Sequence, residues 1–382
     1  MPVPRKHIAL FIYGLAGSGA QWRMVNLARA FAERDCQVDL VVVRASGPLI
    51  QEMSPDVRLV ALGPWWERLP ALRNTQGRWW LTGLFGLIRY LRREQPEVLL
   101  STSYFSNVVA LWARVLARVQ TRVVVRVSNH LSHSLTHTAS PSRRFQLWSA
   151  RLFYPWADAV IAVSKGVAED VAQMTSVAPE RIAAIDNPVI TGAQSDKMCA
   201  TLDHPWFAPG SPPVLLSVGR LARQKDFPTL LKAFARVRST VPVRLLILGE
   251  GRQRATLEAL AQSLGIADDV AFPGFTVNPF PYMTRAAAFV LSSAWEGAPG
   301  ALIEAMACGC PVVSTDCPSG PAEILADGQY GPLVPVGDDR ALATAIATVL
   351  ENRPDPERLR ARASMFSVER VADRYLDVML KR

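Results

Sequence analysis

The stretch AAFVLSSAWEGAPGALIEAMACGCPVVST, residues 287–315, reads as strand, loop, helix and strand in turn. AAFVLS and PVVST are near-continuous apolar runs, the pattern of strands buried on both faces. Between them Pro299 can open a helix, because its missing N–H is not needed in a first turn, and that helix would carry Leu302, Glu304 and Met306. Glu296 is left in the loop. Charged side chains are rarely buried without a partner, so two glutamates in a segment otherwise apolar and rich in glycine and proline need a reason. In open α/β sheets, ligands bind where a strand end runs into a helix N-terminus. A carboxylate only accepts hydrogen bonds, which suits sugar hydroxyls, and Gly297 and Gly300 permit close backbone approach. The bland alternative, two surface glutamates, is weakened by the apolar neighbours on each side.

The same alternation extends in both directions. Strand-like runs IALFIY, VDLVVV, VRLVAL, EVLLST, RVVVRV, DAVIAVS and IAAIDN occupy the first half, and PVLLSVG, VRLLILG, VAFPG, AAFVLS and CPVVST the second. Periodic helices such as QWRMVNLARAFAER and FPTLLKAFARVRS lie between several of them. Such a chain forms parallel sheets covered by helices on both faces. At 382 residues it exceeds one compact core, and the pattern occurs twice. The aperiodic, proline-rich TLDHPWFAPGSPP, residues 201–213, is the candidate linker. The expected domains are 1–200 and 213–365, with 366–382 a C-terminal helix packing back on the first.

Composition narrows the class. Hydrophobic content of 49% with 20% charged residues is that of a soluble globular protein, and no apolar run reaches the length of a transmembrane helix. PRKHIALFIYGLAGSGA, residues 4–20, has the outline of a weak secretory signal but reads better as a first strand entering a glycine loop. Five cysteines form no disulfide framework, and Cys308, Cys310 and Cys317 lack a zinc spacing or a nearby histidine, so a reducing compartment is expected. The first 195 residues hold 22 Lys/Arg against 13 Asp/Glu, and the remainder 20 of each, so the whole net charge of +9 sits in the first half. An anionic partner surface follows. Residues 65–93, WWERLPALRNTQGRWWLTGLFGLIRYLRR, combine six arginines and one glutamate with many aromatics and read as a membrane-surface contact; the alternative is a core helix with a solvated basic face. Nucleic acid is disfavoured because no binding module is visible.

Two loops carry further chemistry. In SVGRLARQKDFPTLLKAF, residues 217–234, Arg220, Arg223 and Lys225 stand between a strand and a helix opening near Pro228. Cations beside a helix N-terminus suit a diphosphate. YGLAGSGAQWRMVNLARAF, residues 13–31, places a glycine loop before the first helix, but its spacing is not G-x-G-x-x-G, and the second strand ends at Arg44 rather than an acidic residue. Phosphate approach fits that loop without requiring a dinucleotide.

Taken together these segments resemble the retaining glycosyltransferases of the GT-B fold that carry an E-x7-E motif. Glu296 and Glu304 have that spacing, VGRLARQKDFPTLLKAF resembles the family's G-R-L-x-x-x-K segment, and LILGEGRQRATLEALAQSLGI its following strand and helix. GPAEILADGQYGPLVPVGD resembles the region after the glutamates, and VIAVSKGV and IDNPV the end of the N-terminal domain. The resemblance implies an α/β GT-B architecture, two doubly wound Rossmann-like domains facing across a cleft. It implies that Arg220 and Lys225 bind the diphosphate of a nucleotide sugar, Glu304 the ribose, and Glu296 the transferred sugar. Gly297, Ala298, Pro299 and Gly300 would lie near that sugar, Thr276 and Val277 near the base, and Gly19 near the diphosphate from the acceptor domain. The family often has glutamate where Gln21 stands. Its acceptor-side histidine would be His130 in RVVVRVSNHLSHS, with His133 second.

No D-x-D stands at a strand end, so metal-independent chemistry without a cofactor is expected, with UDP the expected carrier. The implied acceptor is a saccharide or lipid-linked saccharide in cell-surface polysaccharide or lipopolysaccharide synthesis, handled by a cytoplasmic enzyme peripheral to the inner face of the membrane. Three rivals differ in class. A sugar-nucleotide epimerase of the same fold would isomerise its donor without an acceptor. A non-catalytic membrane-associated binding protein would keep the fold but not need all four of Arg220, Lys225, Glu296 and Glu304. An NAD(P)-dependent enzyme is disfavoured by the glycine spacing.

Overall fold

The computed structural model describes residues 5–63, 79–133, 141–192 and 194–381. They form two compact units, residues 1–188 with 368–382, and residues 189–367. The first holds a parallel sheet of seven strands, β1 (His7–Ile12), β2 (Gln37–Val42), β3 (Val57–Ala61), β4 (Val98–Thr102), β5 (Arg122–Val127), β6 (Ala159–Ala162) and β7 (Ile182–Ala184), in the order β3-β2-β1-β4-β5-β6-β7. The second holds six, β8 (Val214–Val218), β9 (Arg244–Leu248), β10 (Val270–Gly274), β11 (Ala288–Leu291), β12 (Val312–Thr315) and β13 (Leu333–Val334), in the order β10-β9-β8-β11-β12-β13. Each sheet reverses its winding once, between β1 and β4 and between β8 and β11. Those are the switch points beside which ligands bind in such folds.

The continuous apolar runs have a direct cause in the second unit. Leu215, Leu245, Ile247, Val290 and Val313 enter one core. Their alternate neighbours Val214, Leu216, Leu246, Leu248, Phe289 and Val312 enter another on the opposite face. With both faces covered, period-2 alternation never shows as apolar against polar. Helix Phe227–Arg238 closes the first of these layers with Phe227, Leu230, Leu231 and Phe234, and helix Gly300–Ala307 the second with Leu302, Ile303 and Met306.

The chain leaves the first unit after Pro188 and returns at Val368, where helix Val368–Leu380 packs Val371, Ala372, Tyr375 and Met379 into the first unit's core beside Met24 and Phe31. Arg126, on β5 and fully buried, donates to Tyr375 Oη at 3.0 Å and to Thr102 Oγ1 at 3.2 Å. The stretch 201–213, expected to be the linker, belongs to the second unit. Trp206 and Phe207 lie against that unit's core, and the Arg244 guanidinium sits 5.1 Å from the Trp206 ring centroid, so its aromatics are used in packing.

Of the basic aromatic segment 65–93 the structure describes one part. Residues 65–78 fall outside the described residues. In helix Trp79–Glu94, Leu87, Ile88, Tyr90 and Leu91 are buried, and Arg92 donates to the carbonyls of Leu116 and Ala117. The apolar side of this part is core, leaving Phe85 and Arg89 facing outward. No helix among the described residues is long and apolar enough to cross a membrane.

Candidate active site

In the second unit the switch point brings the loops after β8 and β11 together. From β8 the chain runs through Gly219 and Arg220 into a 3-10 turn, Arg223–Lys225, and then into helix Phe227–Arg238. Asp226 joins turn to helix with a left-handed φ of 43°, and its carboxylate accepts from Thr229 Oγ1 at 2.7 Å. The two loops are stitched by backbone: Ala294 N–H donates to Gln224 O at 2.8 Å, and Ser292 Oγ to Lys225 O at 2.8 Å.

This stitching sets the central contact. Lys225 Nζ lies 2.6 Å from Glu296 Oε1, with side chains 17% and 8% exposed. The same oxygen accepts from Ser293 Oγ at 2.7 Å, while Gln224 Nε2 donates to Trp295 O at 3.0 Å and reaches Glu296 Oε2 at 3.4 Å. Ser319 Oγ holds the backbone that follows, donating to Glu296 O at 2.9 Å and Gly297 O at 3.2 Å. A buried carboxylate is tolerable when a cation and neutral donors satisfy it, and here they do. That answers why an acidic residue stands in an apolar loop: Glu296 is the anionic half of a preorganised pair.

Glycines make the close packing possible. A Cβ on Gly219 would stand 2.9 Å from Lys225 Cε, so the lysine stem lies across this residue. One on Gly320, at φ +91°, would stand 2.8 Å from Gly297 O and from Pro299 Cδ. Beside it, Pro299 precedes helix Gly300–Ala307, whose second turn carries Glu304, half-buried.

The remaining expected residues take separate places. Arg220 is exposed in the loop after β8, and Arg223 is exposed in the turn. Of the two cations expected at the start of helix Phe227–Arg238, Lys225 is turned to Glu296 and Arg220 faces solvent. Thr276 is half-buried and Val277 exposed in the loop after β10, on the same edge of the sheet, which strands β10, β9, β8, β11 and β12 end at in parallel. Burial pushes the Cys308 thiol up to about 12 and also raises Cys310 and Cys317, as for cysteines used as small hydrophobes. Among the described residues no group of three His, Cys, Asp or Glu could hold a metal.

The first unit carries its own pair of features. Gly19 opens helix Gly19–Ala32 after the loop that follows β1, and a Cβ there would meet no atom within 4 Å. Nothing in the unit's packing requires glycine at that position. Gln21 acts locally, its Oε1 accepting from Ser18 N–H at 3.0 Å and so capping the helix. His130 follows β5, and its Nδ1 lies 3.0 Å from Asp170 Oδ1 and 3.1 Å from Ser132 Oγ. Asp170 is buried on helix Lys165–Met174 and also accepts from the Leu131 and Ser132 amides. Burial alone would raise its pKa, but hydrogen bonds from His130, Ser132 and the Leu131 amide hold it below the usual carboxylate range. His133 stacks edge-on to His130 with centroids 5.0 Å apart.

Sequence reading missed Gln224, Ser293 and Ser319 around Glu296, and Asp170 behind His130. Ser293 alone had a local signal, a hydroxyl three residues before a carboxylate in a turn.

Residues 18–188 match the model of the glycosyl transferase 4-like domain, and residues 201–365 that of the glycosyl transferases group 1. The chain is 32% identical over 236 residues to N-acetylgalactosamine-N,N'-diacetylbacillosaminyl-diphospho-undecaprenol 4-alpha-N-acetylgalactosaminyltransferase of Campylobacter jejuni, covering 60% of this chain and 62% of that one. It is 33% identical over 227 residues to the lipopolysaccharide core biosynthesis glycosyltransferase LpsE of Rhizobium meliloti, covering 58% and 64%. The matches thus span just under two thirds of these relatives' length. Among solved structures, the lipopolysaccharide outer core galactosyltransferase WaaB in its apo form matches with a TM-score of 0.71 at 20% identity, covering 98% of this chain and 99% of that one. Anabaena HepE in complex with UDP-glucose matches with a TM-score of 0.77 at 20% identity, covering 98% and 100%.

Proposed function

The chain belongs to the GT-B glycosyltransferases whose two halves those models describe, and from that premise we propose that it transfers a sugar from a UDP-sugar to a saccharide or lipid-linked saccharide in cell-surface glycan synthesis. The observation that carries the proposal is the Lys225–Glu296 contact of 2.6 Å at the β8/β11 switch point. A cation and a carboxylate fixed side by side are suited to adjoining parts of one ligand, the diphosphate and the sugar attached to it. Uridine as the base is carried over from HepE, which was solved with UDP-glucose.

In this reading the second unit binds the donor. Departure of the nucleoside diphosphate builds negative charge on its β-phosphate. Lys225, held by its turn and by Glu296, supplies a cation that needs no reorganisation when that charge appears, and Arg220, exposed at the sheet edge, supplies a second. Losing one such preorganised donor costs about 10²–10³ in rate. Glu296 accepts from the sugar hydroxyls and Glu304 from the ribose, while the backbone from Gly297 to Gly300 and Thr276 and Val277 line the donor's sugar and base. Because these cations take the electrostatic part a divalent ion would otherwise play, the chemistry is read as metal-independent and free of a cofactor. The first unit takes the acceptor, with Gly19 and His130 as its assigned residues and His130 oriented by Asp170. Configuration is retained, the leaving phosphate taking the acceptor's proton on the same face. The net positive first half works at an anionic membrane surface, with the chain peripheral to the inner face of the cytoplasmic membrane.

The test is to incubate the protein with UDP-sugars and saccharide acceptors and read the product's anomeric coupling by NMR. A product with the donor's configuration supports the proposal. Donor isomerised without acceptor would favour the epimerase, and inverted product would overturn retention.

A further inference from the structure

Among the described residues the first unit exposes eight large hydrophobic side chains, and seven lie on three helices, Trp79–Glu94, Tyr104–Ala117 and Pro141–Phe153. The middle helix packs against both others. All three are crossovers that advance along the sheet from β3 to β4, β4 to β5 and β5 to β6, so right-handed connections put them on one face. Phe145, Trp148 and Leu152 are 57%, 56% and 47% exposed and, at spacings of three and four, form one stripe along Pro141–Phe153. Other residues of that helix are committed inward: Ser149 and Ala150 are buried, and the Phe153 ring meets Trp112 edge-on at 5.3 Å.

The charge on this face has one sign. The three helices contain seven arginines and a single acidic residue, Glu94, which is bound to Arg58 at 2.7 Å. Arg89, Arg144 and Arg151 are exposed and form no ion pair among the described residues. Aromatic and aliphatic side chains interleaved with unpaired arginines suit the headgroup level of an anionic bilayer. A second copy of the chain would oppose arginines to arginines, which disfavours self-association through this face.

We propose that this three-helix face, centred on Pro141–Phe153, docks the protein on anionic phospholipid. Phe145, Trp148 and Leu152 enter the headgroup boundary and Arg144 and Arg151 meet the lipid phosphates. The proposal rests on the membrane reading given above and moves its centre from 65–93 to Pro141–Phe153, with Phe85 and Arg89 of the former segment on the same face.

The test is cosedimentation of the full chain with vesicles of phosphatidylcholine, alone or with one third phosphatidylglycerol, at low and high salt. Wild type should bind the phosphatidylglycerol vesicles and release at high salt. Arg144→Gln/Arg151→Gln should lower partitioning about thirtyfold, about fivefold for each cation near an anionic surface. Phe145→Ser/Trp148→Ser/Leu152→Ser should lower it at least as far. All the substituted side chains are exposed, so an unchanged melting temperature checks that the fold is kept. Wild-type binding with unaffected variants would overturn this surface while leaving membrane association standing, and no wild-type binding would overturn both. Loss of a concentration-dependent dimer in the apolar variant, with vesicle binding intact, would make the face a self-association surface instead.

Discussion

Gly219→Ala separates the geometry of Lys225 from the stability of the fold. The new methyl would stand 2.9 Å from Lys225 Cε, 3.2 Å from Cδ and 3.3 Å from Cγ. Unstrained carbon contacts lie at about 3.5–4.0 Å, so the lysine stem has to move by roughly half an ångström or more. The stem is flexible, and Gly→Ala removes about 0.4–1 kcal/mol of unfolded-chain freedom, so global stability should change by less than about 1 kcal/mol. Nζ at the end of the stem moves with it, away from a position 2.6 Å from Glu296 Oε1. A misplacement near 1 Å can cost about 10²-fold, so half of that predicts about a tenfold loss in transfer rate and in UDP affinity. Gly249→Ala is the control. Its φ is +148° and its Cβ would stand 2.0 Å from Gly219 O, which is backbone and cannot step aside, so it should cost about 3 kcal/mol or more. Urea melts and titration calorimetry with UDP measure both quantities. If Gly219→Ala binds UDP like wild type, or loses stability as Gly249→Ala does, the lysine does not owe its position to this glycine.

Three further outcomes follow from named contacts. Lys225→Met should destabilise by about 3 kcal/mol, since it leaves the Glu296 carboxylate buried without its cation, whereas Lys225→Met/Glu296→Leu should recover most of that in chemical melts. Asp39 is fully buried and accepts from His7 at 2.9 Å, Arg58 at 2.7 Å and Tyr90 at 2.6 Å. Burial raises its pKa, yet the three hydrogen bonds depress it strongly overall, so its contribution is complete above about pH 4 and fades as pH falls further. Asp39→Asn should therefore lose stability at neutral pH and show a flatter acid limb in pH-dependent melts. Asp170→Asn removes the carboxylate behind His130; transfer should fall about tenfold or more while UDP affinity stays at the wild-type value, because the nucleotide is assigned to the other unit.

What the sequence disclosed follows the range of the forces involved. Most of the twelve strand-like runs were legible because their strands are buried on both faces; the edge strands β3, β7 and β10 are half-exposed yet still apolar, while β13, two residues long, leaves no pattern. The pairing of loops after β8 and β11 could be expected from the strand-end rule, and Glu296 stood out as a charge among apolar neighbours. Its attachment to Lys225 could not be read, since the two are 71 residues apart and meet only through the sheet order. Ser319 reaches Glu296 from a position with φ 61° beside Gly320, and Asp170 reaches His130 from a different crossover helix, so neither has a local signature. Composition misled at 201–213, where proline and polar residues imitate a linker although Trp206 and Phe207 pack on a core.

Whether the Lys225–Glu296 pair forms a nucleoside-diphosphate site is decided by thermal shifts with UDP, GDP, ADP and NADP on wild type and on Lys225→Ala. A nucleotide at one hundred times its dissociation constant should stabilise the fold by about 2.7 kcal/mol. UDP should give a shift that disappears in Lys225→Ala. A shift with NADP alone, or none with any diphosphate, would contradict it.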